Sequence, residues 1–82
     1  MSYFFYILRC ADNSLYCGIT NNPDKRLKEH NSDSARGSKY VRARRPVTMV
    51  YHEEFPDIQT AMARERQVKK WRKSEKESLV AS

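Results

Sequence analysis

Tyr3-Phe4-Phe5-Tyr6-Ile7-Leu8 decides how this chain folds. The six residues are aromatic or branched without a polar break, a composition that favours extended backbone. A strand with one wet face would alternate. This one is apolar at successive positions, so both of its faces need cover. Ala11-Asp12-Asn13-Ser14 supplies turn chemistry. Leu15 to Thr20 reads as a second short strand, and the two strands make a hairpin.

Working outward, Asn21-Asn22-Pro23-Asp24 reads as a helix start. Asn22 can cap, Pro23 fits the first helical position, and Asp24 suits the positive end of the helix dipole. The helix should run to about Asn31. Residues 32–37 are small and polar, hence a loop. Ser38 to Arg45 is basic around Tyr40 and suits a short helix that Pro46 ends. Val47 to Phe55 alternates as a third strand. Pro56-Asp57 closes it and caps a long helix over about Ile58 to Arg72. Ser74-Glu75-Lys76-Glu77 reads as a capping box for a last helix ending at Leu79-Val80. The expected class is α+β, a three-stranded, mostly antiparallel sheet flanked by helices in the order β-β-α-(short α)-β-α-α.

A chain of 82 residues has room for one core, and such a domain buries only about 60% of its unfolded surface. Lys and Arg number 16 against 10 acidic residues, a formal charge of +6. That excess points to a polyanion, with nucleic acid the first candidate. Cys10 and Cys17 lack metal-ligand spacing and are too few for a disulfide scaffold, so both read as small buried hydrophobes of a reduced protein. The longest apolar run, Tyr3 to Leu8, is far short of a membrane span or signal peptide. A cytoplasmic protein without membrane attachment is expected.

Four groups of residues stand out. Glu65 lies among the apolar positions Ile58, Ala61, Met62 and Val68 of the long helix. A carboxylate there costs several kcal/mol unless paired or metal-bound, and spacing alone leaves a metal and the simpler reading, a pair with a buried Arg or a place at the stripe's edge, equally open. Arg26 and His30, four apart, share a helical face and could hold a phosphate beside a proton acceptor; a solvated face is the simpler reading. Tyr6 and Tyr16 could lie side by side in the hairpin. Strand tyrosines usually pack, and a phenol does chemistry only if its neighbours help it lose a proton. Lys39, Arg42, Arg44 and Arg45 surround Tyr40, and Lys69, Lys70 and Lys73 lie near Trp71. Both clusters suit phosphate contacts, and Trp71 itself suits the core or its edge.

In this order and spacing the chain resembles the GIY-YIG nuclease superfamily, most closely its small stand-alone members. The first signature stands here as Phe4-Phe5-Tyr6 and the second as Tyr16-Cys17-Gly18, with nine residues between the tyrosines. Pro23 to Asn31, Ser38-Lys39-Tyr40 and Ala63 to Lys70 around Glu65 follow. The resemblance covers about Tyr3 to Val80 and implies one nuclease domain over residues 1–82. It implies a metal-dependent DNA endonuclease that recognises backbone or structure over sequence and acts in DNA repair or recombination. Tyr6, Tyr16, Arg26 and His30 would be catalytic, with Tyr6 the preferred proton acceptor from water and Arg26 on the scissile phosphate. Glu65 would bind a single Mg²⁺ or Mn²⁺. Gly18 would allow close backbone approach, and Tyr40 would support the site. The family's asparagine beyond the glutamate has no counterpart, since no asparagine follows Asn31. A basic nucleic-acid-binding domain that cleaves nothing is the alternative.

Overall fold

A computed structural model describes residues 2–32 and 38–82. Its elements are β1 (Tyr3–Arg9), β2 (Leu15–Thr20), α1 (Pro23–His30), α2 (Lys39–Arg42), β3 (Thr48–Phe55), α3 (Ile58–Lys69) and α4 (Lys73–Ala81). The sheet order is β2-β1-β3 and both pairings are antiparallel. The apolar run Tyr3 to Leu8 therefore takes the central position, where Phe5 to Leu8 are closed off from water. Asn13 turns the hairpin with φ of 70°, a conformation asparagine tolerates, while Asp12 accepts hydrogen bonds from the Ser14 backbone and hydroxyl.

Alternation along β1 divides the core in two. Tyr6 and Leu8 pack with Cys10, Val41 and Val47, joined by Tyr16, Leu27 and Met49. Phe5 and Ile7 pack with Cys17 and Val68, joined by Trp71, Leu79 and Val80 among others. The first cluster is covered by α1 and α2, the second by α3 and α4. Both cysteines are buried and free, as their spacing suggested. No helix among the described residues is long and apolar enough to cross a membrane.

The helix starts follow the local chemistry. Asn22 caps α1 by accepting from the Lys25 N–H at 3.1 Å, with Pro23 in the first turn. Asp57 caps α3 by accepting from the Thr60 N–H at 2.8 Å. At the end of α1 the Asn31 side chain behaves like a piece of strand. Its amide donates to the Val47 carbonyl at 2.9 Å and accepts from the Val47 N–H at 2.7 Å, tying α1 to the entry of β3.

Three expectations need correction. The long helix stops at Lys69, not Arg72, because Trp71 turns into the core and Arg72 begins the next helix. The last helix is not capped by Ser74 and Glu77; Glu75 accepts from the Arg72 N–H at 3.0 Å instead. Glu77 is occupied elsewhere, receiving both Arg9 nitrogens at 2.8 and 2.6 Å and Lys73 at 3.1 Å, and so fastens α4 to β1. Finally, the α3 stripe is narrower than its apolar residues suggested: Ala61 and Val68 are buried, but Ile58 and Met62 are exposed. The loop expected at 32–37 lies, from residue 33 on, outside the described residues.

Replacing Asn31 by Ala leaves the Val47 backbone groups without their partner. We expect a loss of about 1–3 kcal/mol, read as a lower urea midpoint with unchanged m-value.

Candidate functional site

The site is built on Tyr6. Its side chain is 1% exposed, and burying a hydroxyl that deeply requires a hydrogen-bond partner. His30, equally buried at the end of α1, provides one: its Nε2 lies 2.9 Å from the Tyr6 hydroxyl. Either the phenol donates to an unprotonated Nε2, or Nε2–H donates to the phenol oxygen. His30 Nδ1 has no hydrogen-bond partner among the described residues. Room for the phenol comes from Gly18, opposite Tyr6 in the hairpin register. A Cβ on Gly18 would sit 2.5 Å from the Tyr6 oxygen. The glycine thus admits a side chain, where the sequence suggested a close approach of backbone.

Arg26, one turn before His30, lies close enough to the same phenol to favour its ionised form, and pairs with Glu29 at 3.2 Å. The Arg26–His30 face is therefore turned into the fold, against the simpler reading of a solvated face. Tyr16 pairs with Leu8 in the sheet, so it stands diagonal to Tyr6 on the same side. Its ring meets the His30 ring edge-on at 5.5 Å and stacks on Tyr40 at 5.9 Å. The Arg44 guanidinium covers Tyr40 at 3.8 Å and is held by Asp12 at 3.0 Å. A ladder of planar groups thus runs from buried His30 to the surface. Glu65 occupies the boundary of α3, four residues after buried Ala61 and three before buried Val68, with its side chain 20% exposed. It pairs with Lys69 at 3.2 Å. Its charge reaches both the Tyr6 phenol and the Cys17 thiol, raising each.

Tyr6, Tyr16, Arg26 and His30 thus converge, Glu65 faces the same region, and Gly18 and Tyr40 abut it. The basic candidates are more dispersed in their duties. Arg44 is committed to Asp12 and Tyr40, and Arg45 donates to the Arg42 and Ser32 carbonyls. Lys69 and Lys73 neutralise Glu65 and Glu77. Lys39, Arg42 and Lys70 are exposed. Sequence reasoning missed Glu29, although its spacing of three from Arg26 on one helix is a readable pairing signal. It also missed Asp12, whose link to Arg44 spans the hairpin turn and leaves no local trace.

Protonation follows from burial. Desolvation pushes the Tyr6 phenol up to about 12, partly opposed by the hydrogen bond and charge of Arg26. Desolvation, with the Arg26 charge adding to it, drives His30 down to about 4. At neutral pH the pair is a protonated phenol against a neutral imidazole. That combination can pass a proton from oxygen to nitrogen, which a cationic imidazole could not accept. For a metal, no group of three or more His, Cys, Asp or Glu gathers among the described residues. Glu65 offers a single hard carboxylate donor, itself paired with Lys69. This suits a hard divalent ion only where phosphate oxygens and waters complete its shell.

The sequence matches the family model of the GIY-YIG catalytic domain over residues 2–78. A UPF0213 protein of Bacillus pumilus is 49% identical over 79 residues, covering 96% of this chain and 79% of that protein. A UPF0213 protein of Clostridium perfringens is 46% identical, covering 96% and 83%. Among solved structures, the solution NMR structure of a UPF0213 protein from Bacillus halodurans matches with a TM-score of 0.62 and 41% identity, over 99% of this chain and 84% of that one. That of a protein from E. faecalis gives 0.63 and 40%, over 95% and 81%.

Two outcomes are expected from this geometry. Gly18→Ala must displace a buried, hydrogen-bonded phenol, and should lose about 1–3 kcal/mol by urea denaturation. Protonation of His30 gives the second. Its ordinary value is 6.5 and its folded value about 4. Between these the unfolded chain binds a proton that the folded one refuses, so stability falls as pH drops through this window. The total loss is on the order of 3 kcal/mol, and above pH 6.5 the group contributes no slope. Urea midpoints against pH should show this decline, and His30→Gln should flatten it.

Proposed function

The chain belongs to the GIY-YIG catalytic-domain family, a nuclease family, and from that premise we propose that it hydrolyses DNA phosphodiester bonds at the Tyr6–His30–Arg26–Glu65 cluster. The observation that carries this reading is a single phenol oxygen 2.9 Å from the nitrogen of a neutral imidazole and within reach of a guanidinium's charge. A phenol held near 12 is protonated at neutral pH, so it does not wait as a phenolate. As water attacks phosphorus, its proton moves to the Tyr6 oxygen while the phenol proton moves to His30 Nε2. The P–O ester bond breaks and the departing oxygen keeps its electron pair. Arg26 faces the charge that grows on the phosphate. Glu65 would hold a divalent ion, Mg²⁺ or Mn²⁺, which would supply Lewis-acid stabilisation there. Tyr16 and Tyr40 brace the imidazole through their stacked rings. Lys39, Arg42, Lys70 and the other basic residues hold the backbone, so recognition rests on shape and phosphates over base sequence.

Two other assignments have specific support. Tyr16 is half-buried where Tyr6 is closed off, which favours Tyr16 as the group that meets water. The lack of a preformed carboxylate cluster among the described residues favours a domain that binds nucleic acid without cutting it.

Cleavage of nicked, branched and single-stranded DNA with Mg²⁺ or Mn²⁺ separates the three. We expect Glu65→Ala and Arg26→Ala each to lose at least about 10²-fold in rate, and Tyr6→Phe to lose more than Tyr16→Phe. Full activity in Glu65→Ala would overturn the catalytic assignment. Steeply salt-dependent binding with no cleavage on any substrate would establish the binding domain instead.

A further inference from the structure

Beside the reacting cluster lies a cleft of about 550 Å³ that the chemistry above does not use. It opens between the end of β2, the start of α1 and the first turn of α3. Tyr3, Ile19 and Ile58 give it an aromatic and aliphatic wall; Asn21 and Asn22 give it two amides, Lys25 and Arg26 two cations, and Glu29, paired with Arg26, a carboxylate. Arg26 belongs to both the cleft and the cluster, so whatever fills the cleft adjoins the atoms around Tyr6.

The exposure of α3 points into the same place. Ile58 is 38% exposed and Met62 39%, although their spacing would bury them if the protein alone decided. Ile58, Met62 and Glu65 are i, i+4 and i+7, a single helical face. The buried face, Ala61 and Val68, is turned further into the core. The exposed face thus runs from the cleft to the carboxylate, roughly 10 Å along the axis. An apolar track that begins at this polar-edged recess and ends at the proposed metal ligand fits the flat side of a base whose own phosphate lies at the cluster. A paired, stacked base cannot turn its face into a recess; an unpaired one can.

We propose that this cleft is a subsite for an unpaired nucleobase flanking the scissile phosphate. The inference rests on the nucleic-acid reading of the adjoining site, though not on cleavage. The base lies in the cleft against Ile58, with Met62 one turn beyond it along α3, Asn21 meets its polar edge, and Lys25 and Arg26 hold the phosphate. Substrates with an unpaired nucleotide next to the cut, such as flaps, bulges and single strands, are thereby preferred to continuous duplex.

The test uses the Glu65→Ala protein, so that cleavage cannot interfere, with Ile58→Ser and Met62→Ser added singly. Both changes are neutral in charge and exposed, so electrostatic attraction and fold are kept. Fluorescence anisotropy is read for a labelled single strand and for a blunt duplex of the same length. We expect each change to weaken single-strand binding about tenfold and duplex binding hardly at all. A 2-aminopurine moved along the single strand should change its fluorescence on binding at one position, and lose that change in Ile58→Ser. Equal losses on both nucleic acids, or none on either, would overturn the subsite. Should the protein never cut DNA yet show the selective loss, the subsite stands and the catalytic reading falls.

Discussion

A phenol sealed inside a protein must find a hydrogen-bond partner, and Tyr6 finds His30. Much of the architecture follows from that contact. The imidazole must come from outside the sheet, so α1 has to end against β1, and Asn31 fixes that end by clasping the Val47 backbone. The residue across from Tyr6 must have no side chain, so Gly18 stands there. The imidazole also needs rings around it: Tyr16 meets it edge-on, and Tyr40 stacks on Tyr16 behind. β1 can host such a polar pair because it is the central strand, with apolar neighbours satisfying both of its faces.

Burial that stabilises the fold also sets the chemistry. Removing water from Tyr6 and His30 drives their proton affinities apart, one toward about 12 and the other toward about 4. Proton transfer from the phenol is therefore uphill at rest, and the pair acts only when something draws the proton through. In the proposed reaction a water adding to phosphorus, with Arg26 beside the growing charge, would supply that demand. The single carboxylate on α3 has the complementary property. As the proposed metal ligand it would leave a divalent ion incompletely wrapped, so that ion and phosphate would assist each other's binding.

The sequence revealed the elements whose signals are local. The β1 run, the Asn22-Pro23 and Asp57 helix starts and the hairpin turn all appear where their chemistry placed them, because each depends on neighbours within a few residues. The α3–α4 junction was misread because Trp71 ends the helix by turning into a core built from distant strands, which no local pattern encodes. Ser74 was mistaken for a cap because the reason Glu77 is unavailable, Arg9, lies at the other end of the chain. Glu65 was legible as an oddity of spacing. Its true place, on the boundary between a buried and an exposed face of one helix, needed the sheet. The Tyr6–His30 contact spans 24 residues and was beyond any periodicity; only the resemblance brought the two residues together.

The central claim is that His30 Nε2 receives the Tyr6 proton. Nitrogen-15 chemical shifts of the His30 imidazole, followed through a pH titration of the free protein, address it directly. The account predicts a neutral ring protonated at Nδ1, an unprotonated Nε2 facing Tyr6, and a pKa near 4. A ring protonated at Nε2 at neutral pH, or one titrating at or above 6.5, would contradict it.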